Sequence, residues 1–306
     1  MKERNNKVMK LLDRYIGCPL LFFLGKLRVK ASYPTINESP RIMVLKTAAI
    51  GDTILMDAVI KEIKSQYPRS EITFVCSKSN LAMVKMLKGI DRVFLFRMNN
   101  PLSSLQQVRS LGMFDFVLDF APWARINGLI SWIVLAKFKV GFRRRNMYRH
   151  YIYDVAVEHR DDLHEIDNYR NILKAARISV HGFIPQLIVN AEMPKIFSKY
   201  VVFHMFPGGS SVHLRSWSSN NWIELGRRIG SKYGCKIVFT GGIEDAENAT
   251  AIAKKVQGEG TDAVSIAAKY PLKDIPTILA NADLVISVNT GIMHMSAAVN
   301  VPLIAL

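Results

Sequence analysis

Residues 41–76 run RIMVLKTAAIGDTILMDAVIKEIKSQYPRSEITFVC, and this stretch decides the fold. RIMVLK (41–46) and EITFVC (71–76) are short runs rich in Val, Ile and Phe without clean alternation, as strands buried on both faces should be. Between them TILMDAVIKEIKSQYP carries Ile54, Leu55, Ala58, Val59 and Ile63 at helical spacing, and Pro68 closes it. Strand, helix and strand in about thirty residues make a right-handed βαβ crossover. The pattern continues through RVFLFR (92–97), FDFVLDF (114–120) and FKVGF (138–142). It restarts after the Pro-containing stretch 185–194 with YVVFHMF (200–206), CKIVFTG (235–241), AVSIAA (263–268), LVISV (284–288) and VPLIAL (301–306), with helical segments such as 221–234 and 246–257 between. The expectation is two Rossmann-like doubly wound α/β domains, 41–190 and 198–306, behind an N-terminal segment 1–40.

Composition narrows the function classes. The 306 residues hold 41 Lys+Arg against 25 Asp+Glu, a net charge of +16, and the 49% hydrophobic content excludes wholesale disorder. Cys18, Cys76 and Cys235 are far apart with no CxxC pair, which argues against a disulfide scaffold or a zinc site. No apolar run reaches the ~18 residues that cross a bilayer.

Residues 1–30 set Lys2, Arg4, Lys7, Lys10, Arg14, Lys26, Arg28 and Lys30 around the apolar stretch YIGCPLLFFLG (15–25). Gly17 and Pro19 interrupt it, and the charged flanks do not suit a secretory signal. Two readings stand: a helix packed on the body of the protein, or peripheral attachment to an anionic membrane, the latter preferred. A second basic cluster runs from Lys137 to Arg149 through Lys139, Arg143, Arg144 and Arg145 with no acid inside it. A solvated loop explains it without function. No helix-turn-helix, zinc finger or RNP-like pattern accompanies it, so a polyanionic small acceptor or lipid phosphate is preferred to nucleic acid.

Three loops after strands carry chemistry. In KTAAIGDTIL (46–55), Asp52 stands at the mouth of a helix, where an N-cap is the first reading and a catalytic carboxylate the second. In HMFPGGSSVHLRSWSSNNW (204–222), Gly208, Gly209, Ser210 and Ser211 suit phosphate oxygens or equally a plain turn, Arg215 suits a diphosphate, and Trp217 and Trp222 are expected as core anchors rather than stacking platforms. In SVNTGIMHMSAA (287–298), Thr290 and Gly291 open a helix as an anion site, with His294 one turn in on the same face, where taken alone it reads as a satisfied buried histidine.

These residues carry a resemblance. Residues 46–75 look like the opening of glycosyltransferase family 9, the bacterial heptosyltransferases, with its "GD" loop and its "YP" before the second strand. VISVNTGIMHMSAAVNVPLIAL resembles the family's DTGxxHxAAAxGxPxxAL signature; RSWSSNNWIELGRRI and DLHEIDNYRNIL resemble its Trp segment and its His-Glu helix. The resemblance implies a GT-B fold, two Rossmann-like domains facing a cleft. It also implies an inverting, metal-independent transfer of heptose from ADP-heptose to a lipopolysaccharide core or other lipid-linked anionic glycan, without cofactor or nucleic acid, at the cytoplasmic face of the inner membrane. By the same resemblance Asp52 is the general base. Gly208, Gly209, Ser210, Arg215, Asp245, Asn289, Thr290, Gly291 and His294 hold the nucleotide sugar, with Glu247 as an alternative to Asp245 at the ribose. Arg125, Arg143 and Arg144 meet the acceptor.

Three departures qualify the resemblance. Asn289 replaces the signature Asp, Ala121-Pro122 replaces a Gln-Gly in DFAPWAR (119–125), and the chain stops at Leu306, where the family continues. The expectations are therefore a truncated second domain and, as alternatives, a different donor sugar or a degenerate nucleotide-sugar-binding protein.

Overall fold

The computed structural model describes residues 15, 17–208, 212–258 and 260–306. The chain forms two compact units, Met1–Pro185 and Gln186–Leu306.

The first unit is a six-stranded sheet, all parallel: β1 (Arg41–Leu45), β2 (Glu71–Cys76), β3 (Arg92–Leu95), β4 (Phe114–Asp119), β5 (Ala136–Arg143) and β6 (Val155–Glu158), in the order β3-β2-β1-β4-β5-β6. Its helices are α1 (Cys18–Lys26), α2 (Ile50–Gln66), α3 (Leu81–Val84), α4 (Pro101–Arg109), α5 (Arg125–Ile133) and α6 (Glu165–Ala175). Met43, Leu45, Val75, Phe114 and Val117 from the strands and Leu105, Val108 and Ile130 from α4 and α5 close one buried layer. The βαβ reading of 41–76 holds, with Ile54, Ala58, Val59 and Ile63 buried as the spacing requires. β6 escaped the reading because its four residues, VAVE, lie half-exposed at the sheet edge and lack the apolar run of a central strand.

α1 is docked on this unit. Leu21 is buried with Ile152 and Tyr153, and Gly25 lies so close to Tyr151 that a Cβ there would collide with it. Asp154 fixes the exit, pairing with Arg28 at 2.7 Å and accepting from the Ala31 amide at 2.6 Å. The packed-helix reading therefore holds for this segment, whereas Lys2, Arg4, Lys7, Lys10 and Arg14 lie outside the described residues.

The second unit has five parallel strands, β7 (Tyr200–His204), β8 (Lys236–Phe239), β9 (Ala263–Ser265), β10 (Leu284–Ser287) and β11 (Leu303–Ala305), in the order β11-β10-β7-β8-β9. The helices α7 (Ser219–Tyr233), α8 (Ala246–Gly258), α9 (Ile275–Ala280) and α10 (Gly291–Ala298) cover it. Trp222, Phe203, Phe239 and Val256 form its core. Trp222 is the core anchor expected of it; Trp217 stacks edge-on against it at 5.4 Å but keeps its other side in water, so it is no second anchor. β11 is narrower than the buried strand expected at 301–306, and Ile304 and Leu306 are exposed.

In both sheets the order reverses beside the first strand of the unit, at β1/β4 and at β7/β10. That reversal parts the loops at the carboxyl ends of the strands and makes the place where open α/β sheets bind ligands.

Candidate active site

In the first unit, β1 hands the chain to Lys46, whose side chain is 2% exposed. Its ammonium donates to the Phe120 carbonyl at 3.2 Å, across the β1/β4 reversal, and to the Tyr169 hydroxyl of α6 at 2.6 Å. It also pairs with Asp52 Oδ2 at 3.0 Å. Asp52 is therefore not the N-cap that its position suggests. Ala49 takes the cap position with no side-chain bond, and Asp52 sits in the first turn of α2 with 39% of its side chain exposed.

The intervening turn is strained and tightly held. Ala49 lies at φ 68°, ψ 124°, a region that costs an L-residue of order 1–3 kcal/mol. Thr53 Oγ1 donates to its carbonyl at 2.6 Å. Asn80 Nδ2 donates to the Lys46 carbonyl at 2.8 Å and to Thr53 Oγ1 at 2.9 Å, while Thr47 Oγ1 donates to Asn127 Oδ1 at 2.8 Å. Buried polar groups that are fully partnered specify one arrangement, and here that arrangement aims Asp52 outward.

A polar chain runs back from Lys46. Burial, with the Asp52 and Glu165 carboxylates beside it, pushes the Tyr169 hydroxyl well above its usual range, so it stays a neutral donor, hydrogen-bonded to Glu165. Glu165 Oε2 lies 2.8 Å from His159 Nε2, and Arg144 donates to His159 Nδ1 at 2.6 Å. An Arg can only donate, so Nδ1 accepts and Nε2 carries the hydrogen toward Glu165. Lys46, Tyr169, Glu165 and His159 were not singled out from the sequence; Glu165 and Tyr169 lie in the His-Glu helix segment 162–173 and Lys46 opens the 46–55 loop, whereas His159 lies in none of the quoted motifs.

The basic cluster 137–149 is corrected by the fold. Lys137 pairs with Asp115 at 2.7 Å, Arg144 with Asp161 at 2.8 Å, and buried Arg149 with Asp119. Lys139 is buried beneath the carbonyls of Ser131, Trp132 and Val134. The acids come from strands and loops distant in the chain, which no local charge count reveals. Arg143 remains exposed, and Arg125 donates to the Asn146 carbonyl at 3.0 Å, which brings it to the same loop. Arg144 also stacks on Trp123 at 3.6 Å, so its guanidinium is engaged within the fold by Trp123 as well as Asp161 and His159.

In the second unit, Arg215 joins the two loops at the β7/β10 reversal. Its guanidinium donates to the Gly208 carbonyl at 2.6 Å and to the Asn289 carbonyl at 3.0 Å. Both of these acceptors are neutral backbone carbonyls. Thr290 is the N-cap of α10 and accepts from the Ile292 amide at 3.2 Å; Gly291 is the first helical residue, and the His294 amide bonds back to the Thr290 carbonyl. Asn289 is exposed just ahead of them. Asp245 caps the turn after β8, accepting from the Gly242 amide at 2.8 Å, whereas Glu247 is exposed in the first turn of α8. Gly209 and Ser210, with Ser211, lie outside the described residues. His204, at the end of β7, faces Thr240 Oγ1 at 2.9 Å, and burial pulls its imidazole down to about 4. Among the described residues no group of three or more His, Cys, Asp or Glu is arranged to hold a metal, and no helix is long and apolar enough to cross a membrane.

Comparison with known proteins places this geometry. The sequence profile described as Glycosyltransferase family 9 (heptosyltransferase) matches residues 106–306. The lipopolysaccharide core heptosyltransferase OpsX of Haemophilus influenzae is 23% identical over 290 residues, covering 89% of this chain and 80% of that protein. The lipopolysaccharide heptosyltransferase 1 of Salmonella typhimurium is 35% identical over 92 residues, 30% of this chain and 27% of that protein. The family 9 glycosyl transferase from Veillonella parvula superposes with a TM-score of 0.74 at 20% identity, covering 90% of this chain and 81% of that one. E. coli heptosyltransferase WaaC, solved with ADP-2-deoxy-2-fluoro heptose, gives 0.67 at 18% identity, with 87% and 88% covered. These likenesses carry the GT-B fold class. With the profile spanning most of the chain, they show that it is a glycosyltransferase belonging to family 9, the heptosyltransferase family.

Proposed function

We propose that this chain moves heptose, or a related sugar, from an ADP-activated donor to a lipopolysaccharide core or other surface-glycan acceptor, inverting the anomeric carbon without a metal or cofactor. The reaction belongs at the cytoplasmic surface of the inner membrane, and nucleic acid has no part in it. The observation that carries this reading is Asp52: an exposed carboxylate on the first turn of α2, held on one oxygen by a buried lysine, beside the sheet reversal. Two relatives supply the donor and acceptor classes. OpsX is a lipopolysaccharide core heptosyltransferase, and WaaC was solved with an ADP-heptose analogue.

In this mechanism Asp52 takes the proton of the acceptor hydroxyl as its oxygen attacks the anomeric carbon. The bond to the diphosphate breaks on the opposite face, and its electron pair leaves with ADP. A single displacement inverts the centre. Lys46 gives the carboxylate a fixed counter-ion and a fixed rotamer. Arg215 supplies positive charge to the leaving diphosphate, with Thr290, Gly291 and the N-terminus of α10 beside it. Asp245 or Glu247 meets the ribose, Asn289 and His294 meet sugar or phosphate, and Arg125 and Arg143 meet anionic groups of the acceptor.

Asp52→Asn keeps the shape and removes the base. The expected outcome is a loss of transfer by about 10²–10⁴-fold with ADP affinity unchanged. Full activity in that variant would remove Asp52 from the role. Asn289 favours a second reading on the donor: an amide hydrogen-bonds a sugar hydroxyl without the charge that the family signature places there. Side-by-side turnover of ADP-heptose and other ADP-sugars separates the two readings.

A further inference from the structure

α1 has two apolar faces, and among the described residues only one of them is packed. Leu21, Leu24 and Gly25 turn inward onto Ile152, Tyr153 and Tyr151. Leu20, Phe23 and Leu27, spaced i, i+3 and i+7, turn outward, with Phe23 65% and Leu27 82% exposed. Tyr15 before the helix and Val29 after it are also exposed. Scattered apolar residues on a surface need no explanation, but a contiguous row on one helix does.

The charges around the row have one sign. From Tyr15 to Asn37 the chain contains no acid, and Lys26 and Lys30 stand exposed beside the stripe. The basic loop after β5 lies against the same helix. The Phe22 ring meets Tyr148 at 6.4 Å and Tyr151 at 5.3 Å, and Arg145, in that loop, is exposed. The nine-residue helix is about 13 Å long at 1.5 Å per residue, too short to span a bilayer and long enough to lie along its surface. Apolar side chains flanked by the exposed cations Lys26, Lys30 and Arg145 match an anionic lipid interface in both layers, acyl boundary and phosphate.

We propose that the outward face of α1 is the lipid-contacting surface of this protein. Leu20, Phe23 and Leu27 lie at the acyl boundary of an anionic bilayer, and Lys26, Lys30 and Arg145 lie among the headgroup phosphates. This names the surface behind the membrane part of the proposed function. Because α1 is fixed to the first unit through Leu21, Gly25 and the Arg28–Asp154 pair, binding sets the orientation of the whole unit rather than tethering it loosely.

The test uses the full chain and vesicles of phosphatidylcholine with or without phosphatidylglycerol. Parental protein is expected to co-sediment with the anionic vesicles, more weakly at high salt, and to ignore the zwitterionic ones. Phe23→Glu with Leu27→Glu is expected to lower the partition coefficient at least about tenfold. Its melting midpoint should stay put, because both side chains point outward. Equal partitioning of the double variant would overturn the proposal by moving the contact elsewhere, residues 1–14 included. So would a parental dimer that the variant dissociates without any vesicle binding, since the face would then join two copies. The vesicle readout needs neither donor nor acceptor. Its failure therefore leaves the transferase reading standing, and failure of the Asp52→Asn test leaves this one.

Discussion

Lys46 has no acid within five residues of it in the chain, yet three elements close on its ammonium. A lysine directly after a strand looks like any surface cation, and only the sheet order brings residues 46, 52, 120 and 169 together. Asp52 was legible as a candidate, whereas what makes it a directed carboxylate was not. Replacing Lys46 with Met removes the donor to Phe120 and Tyr169, with an expected destabilisation of about 1–3 kcal/mol. Transfer should fall with little change in ADP affinity, and Lys46→Arg should restore part of it; equal turnover in Met and Arg variants would assign Lys46 to folding alone. His204 makes a different residue-scale prediction. Its folded value, about 4, lies below the ordinary 6.5, so the unfolded chain binds more protons between those values. Stability from this group is full above pH 6.5 and is lost as pH falls toward 4, by about 3 kcal/mol in all. His204→Asn should flatten that part of the pH–stability curve relative to the parent, as urea melts at stepped pH would show.

Among the elements, central strands were legible because burial on both faces demands uninterrupted Val, Ile and Phe. The edge strand β6 and the half-exposed β11 answer to weaker demands and carry a weaker signal. The helix α2 was legible from its apolar spacing, but its start was not. The turn before it depends on Asn80 and Asn127, which arrive from elsewhere in the chain to hold Lys46, Thr53 and Thr47 around Ala49. For α1 the sequence shows an apolar stretch between cations and cannot say which side of it is covered. Docking depends on Gly25, where Tyr151 leaves no room for a side chain. Gly25→Val should release the helix and forfeit about 2 kcal/mol from Leu21 burial. Hydrogen exchange should rise at residues 18–28 while the β1–β4 amides stay protected. Unchanged exchange would mean that Tyr151 shifts to make room.

At the level of the molecule, two repetitions of the βαβ pattern separated by a Pro-containing stretch were enough to foresee two Rossmann-like units, and the boundary falls between Pro185 and Gln186. The basic balance was equally visible but misleading in detail. Asp115, Asp119 and Asp161 pair with three of the six cations of the second cluster once the chain is folded. A two-unit protein with its nucleotide loops in one unit should unfold in two steps that respond differently to ligand. ADP at a hundredfold excess over its dissociation constant should stabilise the second unit by about 2.7 kcal/mol. UDP and GDP should not. Scanning calorimetry reads both transitions at once, and a shift with GDP or UDP in place of ADP would move the donor class. Arg215 bears on how tight such binding becomes. A long side chain gives up about 2 kcal/mol of rotamer freedom when it is immobilised. Here the carbonyls of Gly208 and Asn289 have already taken that freedom away before any diphosphate arrives. The loss falls on the folding equilibrium of the second unit, and the arriving anion meets a cation that has little left to surrender.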